Sequence, residues 1–321
     1  MDGIAALTGV LAGLGMGYVL QRAQLCFHAT FDGVLRRRFL LARGWLLGVA
    51  IAAVGLSAVF LTPLGGRLNQ GLPFVPVANA VGGVVIGVGM AVASSCVSGL
   101  FYKLGAGMLG CVAGLAGWAG GELVARRIVV PGPTVLSGGA GATIPGLLGL
   151  PRLAVALVFL AVTVVVLWRW RIHERPEHGW QWGWPVTGVA LGAVTVAGWV
   201  LAGLGHSSFG PSTVGAVASI AAGTPNWWLV AFLVGIVGGA AVAARTAGGY
   251  ALRGERPVRY VQLVVGGFLL GAGGWIAGGC NLGHGLSGVA QLNVSSWVVV
   301  VAIVAGIGAT RVARARVSRV S

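Results

Sequence analysis

The sequence predicts an all-α integral membrane protein with about nine transmembrane helices, four short re-entrant half-helices and an inverted internal repeat. Of its 321 residues, 57% are hydrophobic and only 8% are charged, a composition that no water-soluble globule has. Apolar runs of about 20 residues, the length that crosses a bilayer, recur along the whole chain. A pattern of glycines and one cysteine occurs once in each half. We therefore expect a single transmembrane domain over residues 1–321.

Nine apolar runs define the spanning helices. They are predicted over residues 4–21, 43–61, 77–95, 105–121, 152–168, 184–203, 227–244, 258–279 and 295–310. Four segments are too short to cross, and each follows a helix at a cysteine or a Gly/Pro break: 26–35, 97–103, 211–221 and 281–290. Irregular backbone at membrane depth is tolerated only inside protein or along a cavity, so we interpret these segments as re-entrant half-helices. Surface helices at the bilayer boundary are the alternative.

The basic residues set the expected orientation. Sixteen of the 21 lysines and arginines fall in loops on the side that the chain reaches after its first helix, and four fall on the opposite side. Because positive loops stay in the cytoplasm, we expect the N-terminus outside and the C-terminus inside the cell. The net charge of +15 is then mainly a topology signal, with the anionic lipid bilayer as its partner. The scattered short basic loops do not indicate nucleic-acid binding.

The repeated pattern is GG-x3-G-x-G-x6-C-x2-G. It covers residues 82–99, with Cys96, and residues 266–283, with Cys280. Five crossings lie before the second half, so the two copies are expected to run in opposite directions, as in inverted-repeat transporters. A weaker repeat aligns Cys26 with Gly205, beside His206, so one of four expected cysteines is missing. The predicted organisation is repeat A over 1–121, a linker with a connecting helix over 122–183, and repeat B over 184–312.

The same segments carry the predicted chemistry. A half-helix N-terminus presents unpaired N–H groups and a partial positive charge to an anion. A buried cysteine there, far from any fixed cation, should stay a neutral thiol, which is a weak donor with a soft sulfur. Such a thiol can hand along a sulfur-bearing anion, and three of the four broken elements carry one, at Cys26, Cys96 and Cys280. Neighbouring residues are possible secondary contacts: Ser95, Gly99, Gly279, Asn281, Gly283, His28, His206 and His284.

Each of these residue types also has an ordinary structural interpretation. The glycines could only allow close helix packing, the histidines could cap helices, and the serines and asparagines could satisfy loop backbone. Cys111 lies off the repeat and is interpreted as a packing residue. Asp32 with Arg36, and Glu122 with Arg126, have the spacing of ion pairs on a helix surface. No acidic residue lies mid-span, so proton coupling through a buried acid is not expected.

The two repeat segments, together with residues 22–27 and Asp32, resemble the YeeE/YedE family of sulfur-transport membrane proteins. The resemblance covers nearly the whole chain. It implies an hourglass-shaped inner-membrane transporter that takes up thiosulfate, with three cysteines relaying the anion by S–H···S hydrogen bonds. Cys26, Cys96 and Cys280 occupy the matching positions. It also implies, for some relatives, selenium or other sulfur compounds as substrates, and a cytoplasmic sulfur-carrier protein of sulfurtransferase type as a partner.

No enzymatic activity, cofactor or metal site is predicted. The cysteines lack the spacing of zinc ligands, and no nucleotide-binding motif is present. A membrane thiol–disulfide oxidoreductase is a less favoured alternative, since it needs paired cysteines at an aqueous edge. A membrane subunit that anchors a sulfur-handling enzyme is another.

Within the transporter, helix direction predicts that Cys280 lies nearest the outer mouth, with Cys26 and Cys96 deeper or nearer the cytoplasm.

Overall fold

A computed structural model describes residues 2–170 and 174–320, with side chains to residue 316. The described chain is all-helical, as predicted. Its helices are α1 (Asp2–Ala23), α2 (Phe27–Leu35), α3 (Leu40–Phe60), α4 (Pro76–Ala93), α5 (Val97–Gly105), α6 (Gly110–Ala125), α7 (Ile144–Leu148), α8 (Arg152–Arg169), α9 (Trp184–Leu204), α10 (Ala216–Ala221), α11 (Trp227–Thr246), α12 (Pro257–Ala277) and α13 (Val294–Val320). A π-helical turn covers Gly283–Gly288.

Eight spans in the described chain are long and apolar enough to cross a membrane. The ninth predicted span corresponds to α6, an apolar helix of 16 residues. It begins at Gly110 instead of 105, because α5 continues to Gly105 and residues 106–109 form a turn. Gly107 there has φ +101°, and a Cβ on it would lie 2.4 Å from the carbonyl oxygen of Ala251. This turn leaves α6 about 24 Å long at 1.5 Å per residue.

The predicted short segments take different forms. Two of them are nine-residue helices, α2 and α5, each beginning directly after a cysteine. In 211–221 only the last six residues are helical, as α10. In 281–290 the helix is π-helical over Gly283–Gly288. The breaks before α5 and before Gly283–Gly288 have a local cause. The residues that directly follow α4 and α12, Ser94 and Gly278, are both in the left-handed conformation, which ends a helix.

The outer helix pairs pack through glycines in a symmetric way. α1 lies parallel to α11, and a Cβ on Gly9, Gly13 or Gly17 would lie 2.0–2.3 Å from a carbonyl oxygen of α11. α9 lies parallel to α3 in the same manner, with Gly188 against Leu47 and Gly192 against Ile51. Small residues let helix backbones approach this closely in lipid. The two pairs are counterparts, because α9 repeats α1.

The two repeat helices, α4 and α12, pack against each other in opposite directions. A Cβ on Gly82 would lie 2.5 Å from Ala277 N, while one on Gly89 would lie 2.9 Å from Gly266 O. On their other sides α4 lies parallel to α13 and α12 lies parallel to α6. The antiparallel pair is what an inverted repeat requires. The repeat boundaries at 121 and 184 stay a prediction.

Two cavities lie at opposite ends of the α1–α11 pair and share no lining residue. The first, here called the serine cavity, has about 490 Å³ and begins at the start of α11. Its lining includes Ser207, Ser212, Ser219, Ser287, Gly279 and Gly283. The second, the charged cavity, has about 630 Å³ and follows the end of α1. Its lining includes Cys26, His28, Asp32, Arg36, Arg38, Lys103, Glu174, Arg175 and Glu177. Two vestibules separated by packed protein agree with the hourglass shape implied by the resemblance.

Candidate substrate path

Cys26 and Cys96 form a contact at the inner wall of the charged cavity. Their sulfur atoms lie 3.4 Å apart, within hydrogen-bond distance, and either can donate. Cys26 is 3% exposed and lines the cavity, whereas Cys96 is fully buried behind it. Both thiols are free. The fold therefore brings residues 70 positions apart into one thiol pair, which the sequence alone did not indicate.

Cys96 is the N-cap of α5. Its sulfur accepts a hydrogen bond from the backbone N–H of Gly99 at 3.2 Å and lies 3.4 Å from the hydroxyl of Ser98. A Cβ on Gly99 would lie 2.6 Å from Ser95 Oγ, 3.0 Å from Cys26 Sγ and 3.1 Å from Cys96 Sγ. Only glycine fits between the two sulfur atoms without displacing them.

Cys280 repeats this arrangement in the other half. Its sulfur accepts from the N–H of Gly283 at 3.3 Å, the same C-x2-G contact as in Cys96. It also accepts from the N–H of Thr213 at 3.4 Å. Gly279 and Gly283, on either side of it, line the serine cavity. Cys280 thus lies at the serine-cavity end and Cys26 at the charged-cavity end.

Two polar side chains lie between these ends. Asn281 donates from Nδ2 to Ser98 Oγ at 3.2 Å, and both residues are fully buried. The Asn281 Oδ1 atom is buried without a hydrogen-bond partner. An unsatisfied amide oxygen in an apolar interior is costly. A continuous polar run therefore leads from Asn281, next to Cys280, through Ser98 to Cys96 and Cys26.

A fixed cation lies close to the thiol pair, contrary to expectation. Lys103 lines the charged cavity beside Cys26, and its Nζ donates to Ser95 Oγ at 3.2 Å. Lys103 is on α5, so its position is set by the same helix that Cys96 caps. The sequence indicated it only as a charged loop residue. Its ammonium supplies a positive charge to any anion that reaches Cys26 from this side.

The three predicted histidines lie in different surroundings. His28 lines the charged cavity. His284 is 1% exposed, with Nδ1 2.9 Å from Ser296 Oγ and Nε2 donating to the carbonyl of Ala277 at 3.0 Å. Its ring covers Gly279, where a Cβ would lie 2.8 Å from it, so His284 fixes the turn before Cys280. His206 is exposed, at the end of α9, and lines neither cavity.

The two predicted ion pairs have opposite outcomes. Asp32 and Arg36 do form one, at 2.5 Å. The Glu122–Arg126 prediction was wrong, because Arg126 is exposed while Glu122 is fully buried. The Glu122 carboxylate accepts hydrogen bonds from the N–H groups of Gly215 and Ala218, each at 3.0 Å. A buried acid therefore does lie in a helix of this protein. The sequence missed it because Glu122 comes in the last turn of α6, which extends four residues past its predicted end.

Comparison with known proteins relates this architecture to a function. A family model described as sulphur transport matches residues 22–309. The chain belongs to the sulphur-transport family. The resemblance to YeeE/YedE proteins is thereby confirmed. This family membership agrees with the prediction of a membrane transporter and not an enzyme.

Two known transporters are similar to this chain over nearly their whole length. The chain is 33% identical to the thiosulfate transporter TsuA of Spirochaeta thermophila, covering 93% of this chain and 96% of that protein. It is 23% identical to the thiosulfate transporter TsuA of Escherichia coli, covering 94% and 92% respectively. A shorter match of 30% identity, over 29% of this chain and 23% of the relative, is to the probable transporter YedE of Escherichia coli.

Within this sulphur-transport protein, sequence reasoning missed three groups that contact the cysteines of the candidate path or their hydrogen-bond partners. Ser98 carried a signal, because it lies inside the C-x2-G motif, but no equivalent residue occurs in the second copy, where Leu282 stands. Lys103 was counted only among the basic loop residues that set the predicted orientation. The N–H of Thr213 carried no signal, since a backbone donor leaves no trace in the residue type. Cys111, by contrast, lies buried in α6 as a packing residue.

Proposed function

We propose that the protein takes up thiosulfate, or a closely related small sulfur-containing anion, across the inner membrane. The anion enters the serine cavity, passes Cys280, then Asn281 and Ser98, and reaches the charged cavity by way of Cys96 and Cys26. Neutral thiols and half-helix N–H groups hand it along by hydrogen bonds. The near-full-length similarity to two thiosulfate transporters supports the substrate.

One observation supports the path more than any other. Cys26, Cys96, Ser98 and Asn281 form one run of hydrogen-bonded side chains, and Asn281 is adjacent to Cys280. Each member is at most 3% exposed. Burying polar side chains without need is costly. A series of weak donors and soft sulfur atoms, with no carboxylate among them, suits an anion that carries sulfur.

The charges of the charged cavity support a direction of release. Lys103, Arg36, Arg38 and Arg175 line it, together with the acids Asp32, Glu174 and Glu177. In the orientation set by the basic loops this is the cytoplasmic end, and the serine cavity opens outward. An anion arriving from the neutral serine cavity gains the attraction of the Lys103 ammonium as it passes the thiols. We propose, on the resemblance, a cytoplasmic sulfur-carrier protein as the acceptor.

The Cys96→Ala variant tests this function. Uptake of radiolabelled thiosulfate into proteoliposomes should fall at least about tenfold, because the variant removes the shared partner of Cys26 and Ser98. Cys111→Ala is the matched control, also a buried cysteine in a helix, and should retain uptake near the wild-type rate. Equal uptake by the two variants would contradict the cysteine relay. No uptake by the wild type would contradict thiosulfate as the substrate. If thiosulfate is taken up, competition by selenium or other sulfur compounds in the same assay would show which related substrates the protein accepts.

The Cys26–Cys96 contact also gives some support to a second function. Two thiols at 3.4 Å beside an aqueous cavity are the pairing that a thiol–disulfide oxidoreductase needs. Such an enzyme would oxidise added dithiols in the presence of a quinone, and it would not move thiosulfate. Uptake into liposomes that hold no quinone therefore separates the two functions.

A further inference from the structure

We propose that Glu122 is a positioning residue for the outer half of the path, holding residues 211–215 so that the N–H of Thr213 meets the sulfur of Cys280. This inference deepens the proposed function and rests on it for the role of Cys280. Glu122 lines neither cavity, so its part in the path is indirect.

The geometry of Glu122 is that of an anchor. Its side chain has no exposed surface, and a carboxylate so placed requires strong partners. One oxygen, Oε1, accepts from both Gly215 N and Ala218 N at 3.0 Å. These two groups stand at the start of α10, with Gly215 at φ +99°. The other oxygen, Oε2, is buried without a hydrogen-bond partner, so the two bonds to Oε1 carry the contact. The carboxylate therefore fixes where residues 211–215 join α10.

The anchored segment contacts the path at its other end. Thr213, two residues before Gly215, donates its N–H to Cys280 Sγ at 3.4 Å. The segment also packs on α12, the helix that precedes Cys280, because a Cβ on Gly274 would lie 2.9 Å from Val214. α6 and α12 touch at the level of Glu122, where a Cβ on Gly271 would lie 2.9 Å from Glu122 N. Glu122, residues 211–215 and Cys280 thus form one packed unit.

The first half of the chain explains why such an anchor is needed. There the sulfur of Cys96 faces the thiol of Cys26, which caps α2. In the second half the equivalent sulfur, Cys280, faces the N–H of Thr213. The cysteine missing from the repeat is therefore replaced by a backbone donor. α10 has six residues against nine in α2, so the donor sits on a non-helical segment that helical hydrogen bonds do not hold. Glu122 supplies hydrogen bonds that hold the end of this segment, in place of the helical hydrogen bonds that a longer α10 would provide.

Alkylation of single cysteines tests this role. The full-length protein in membranes is treated with N-ethylmaleimide, and the rate at each cysteine is followed by peptide mass spectrometry. Glu122→Met, which matches the side chain in size but lacks the carboxyl oxygens, should raise the Cys280 rate about tenfold, as expected for the loss of two buried hydrogen bonds. The rate at Cys26, at the other end, should not change. Uptake of thiosulfate should fall about tenfold in parallel.

Glu122→Gln is the matched variant, because its amide oxygen can accept the same two bonds. It should restore both the Cys280 rate and uptake to within about threefold of wild type. Equal loss of uptake in the Met and Gln variants with an unchanged Cys280 rate would overturn the proposal and point to the charge or a proton instead. The proposal would also be overturned if Glu122→Met raised the alkylation rate at Cys26 as much as that at Cys280, or if it left both rates unchanged. If Glu122→Met does not accumulate, Glu122→Ala is scored in the same way. The alkylation rates need no substrate, so they test the anchor even if thiosulfate is not transported.

Discussion

At the scale of single residues, the last glycine of the repeated motif contacts the cysteine sulfur through its backbone N–H in both copies. In both copies its N–H donates to the cysteine three residues earlier, at 3.2 Å for Gly99 and 3.3 Å for Gly283. The surroundings differ, since a Cβ on Gly283 would meet its nearest atom only at 3.5 Å. Gly99 is thus required for space as well as for its N–H, whereas at Gly283 only the N–H contact to Cys280 is specific, because a Cβ there would have room.

Gly99→Ala should therefore abolish transport without unfolding the protein. The added methyl group would lie 3.0 Å from Cys26 Sγ and 3.1 Å from Cys96 Sγ, so it would push the two thiols apart and fill the path between them. We expect thiosulfate uptake to fall at least about tenfold, as for loss of a thiol contact. Gly120→Ala on α6, where a Cβ meets nothing within 4 Å, is the control. Wild-type uptake by Gly99→Ala would refute the path between these sulfurs.

What the sequence revealed at this scale depended on residue type and repetition. Cys96 and Cys280 were predictable because a six-residue pattern recurs without a gap. The contacts between them were not, because Ser98 meets Asn281 across 183 positions and the two halves use different residues for it. Glu122 was misassigned because helical spacing to Arg126 is the same whether a face is exposed or buried. Only the packing of α10 against α6 decides which face Glu122 occupies.

At the scale of helices, four of the motif's glycines divide into two packing sets. The first and fourth, Gly82 and Gly89, hold α4 against α12, and their counterparts in the second copy do the same from the other side. The second and third, Gly83 and Gly87, hold α4 against α13, as their counterparts hold α12 against α6. The regular spacing thus follows from a helix with two close neighbours. For each of these four glycines and its counterpart in the second copy, close helix packing is therefore the role that the structure shows.

A glycine of the outer pairs gives a test of this packing. Gly17→Ala would place a Cβ 2.0 Å from the carbonyl oxygen of Ile236, so α1 and α11 would have to separate. Overpacking of this kind costs about 1–3 kcal/mol. We expect a lower thermal midpoint in detergent for this variant. Gly3→Ala, in the open first turn of the same helix, should leave the midpoint unchanged or raise it slightly, since alanine favours helix. Equal midpoints for the two variants would argue against the α1–α11 contact.

The helix boundaries show what apolar runs can and cannot predict. Most ends fell within three residues of their predicted positions, because proline and glycine mark them, as Pro76 and Pro257 do at the starts of α4 and α12. α6 and α13 differ most. The turn before α6 depends on the distant residue Ala251. α13 runs on past 310 to Val320, since arginine and valine continue a helix after hydrophobicity ends.

At the scale of the whole molecule, charge and pseudo-symmetry act together. The two halves are built alike and run in opposite directions, yet their cavities differ: the one near Cys280 has serine hydroxyls among apolar side chains and no Asp, Glu, Lys or Arg, whereas the one at Cys26 has several acidic and basic side chains. Symmetry of fold therefore does not extend to symmetry of chemistry. On the proposed route, a small anion would therefore meet distinct surroundings at the two ends.

The proposed orientation can be tested by labelling from one side. Val129 and Leu252 are both exposed, at 88% and 68%, in loops that the prediction places on opposite faces. In intact cells, an impermeant maleimide should label a cysteine at Val129→Cys and leave Leu252→Cys unlabelled until the membrane is opened. The wild-type protein, with its four buried cysteines, is the background control. The reverse pattern would place the N-terminus in the cytoplasm and invert the direction of the path.

The substitution of a peptide group for the fourth thiol has a chemical consequence. A sulfur pair such as Cys26–Cys96 can be joined by oxidants, whereas an amide hydrogen like that of Thr213 cannot. In the proposed orientation the mouth that meets the periplasm, the more oxidising compartment, has one sulfur and a main-chain partner, and the vulnerable pair sits on the reduced side. In that orientation, the sulfur at the outer end has no second thiol in contact with it among the described residues, so it cannot close into a disulfide as the inner pair can.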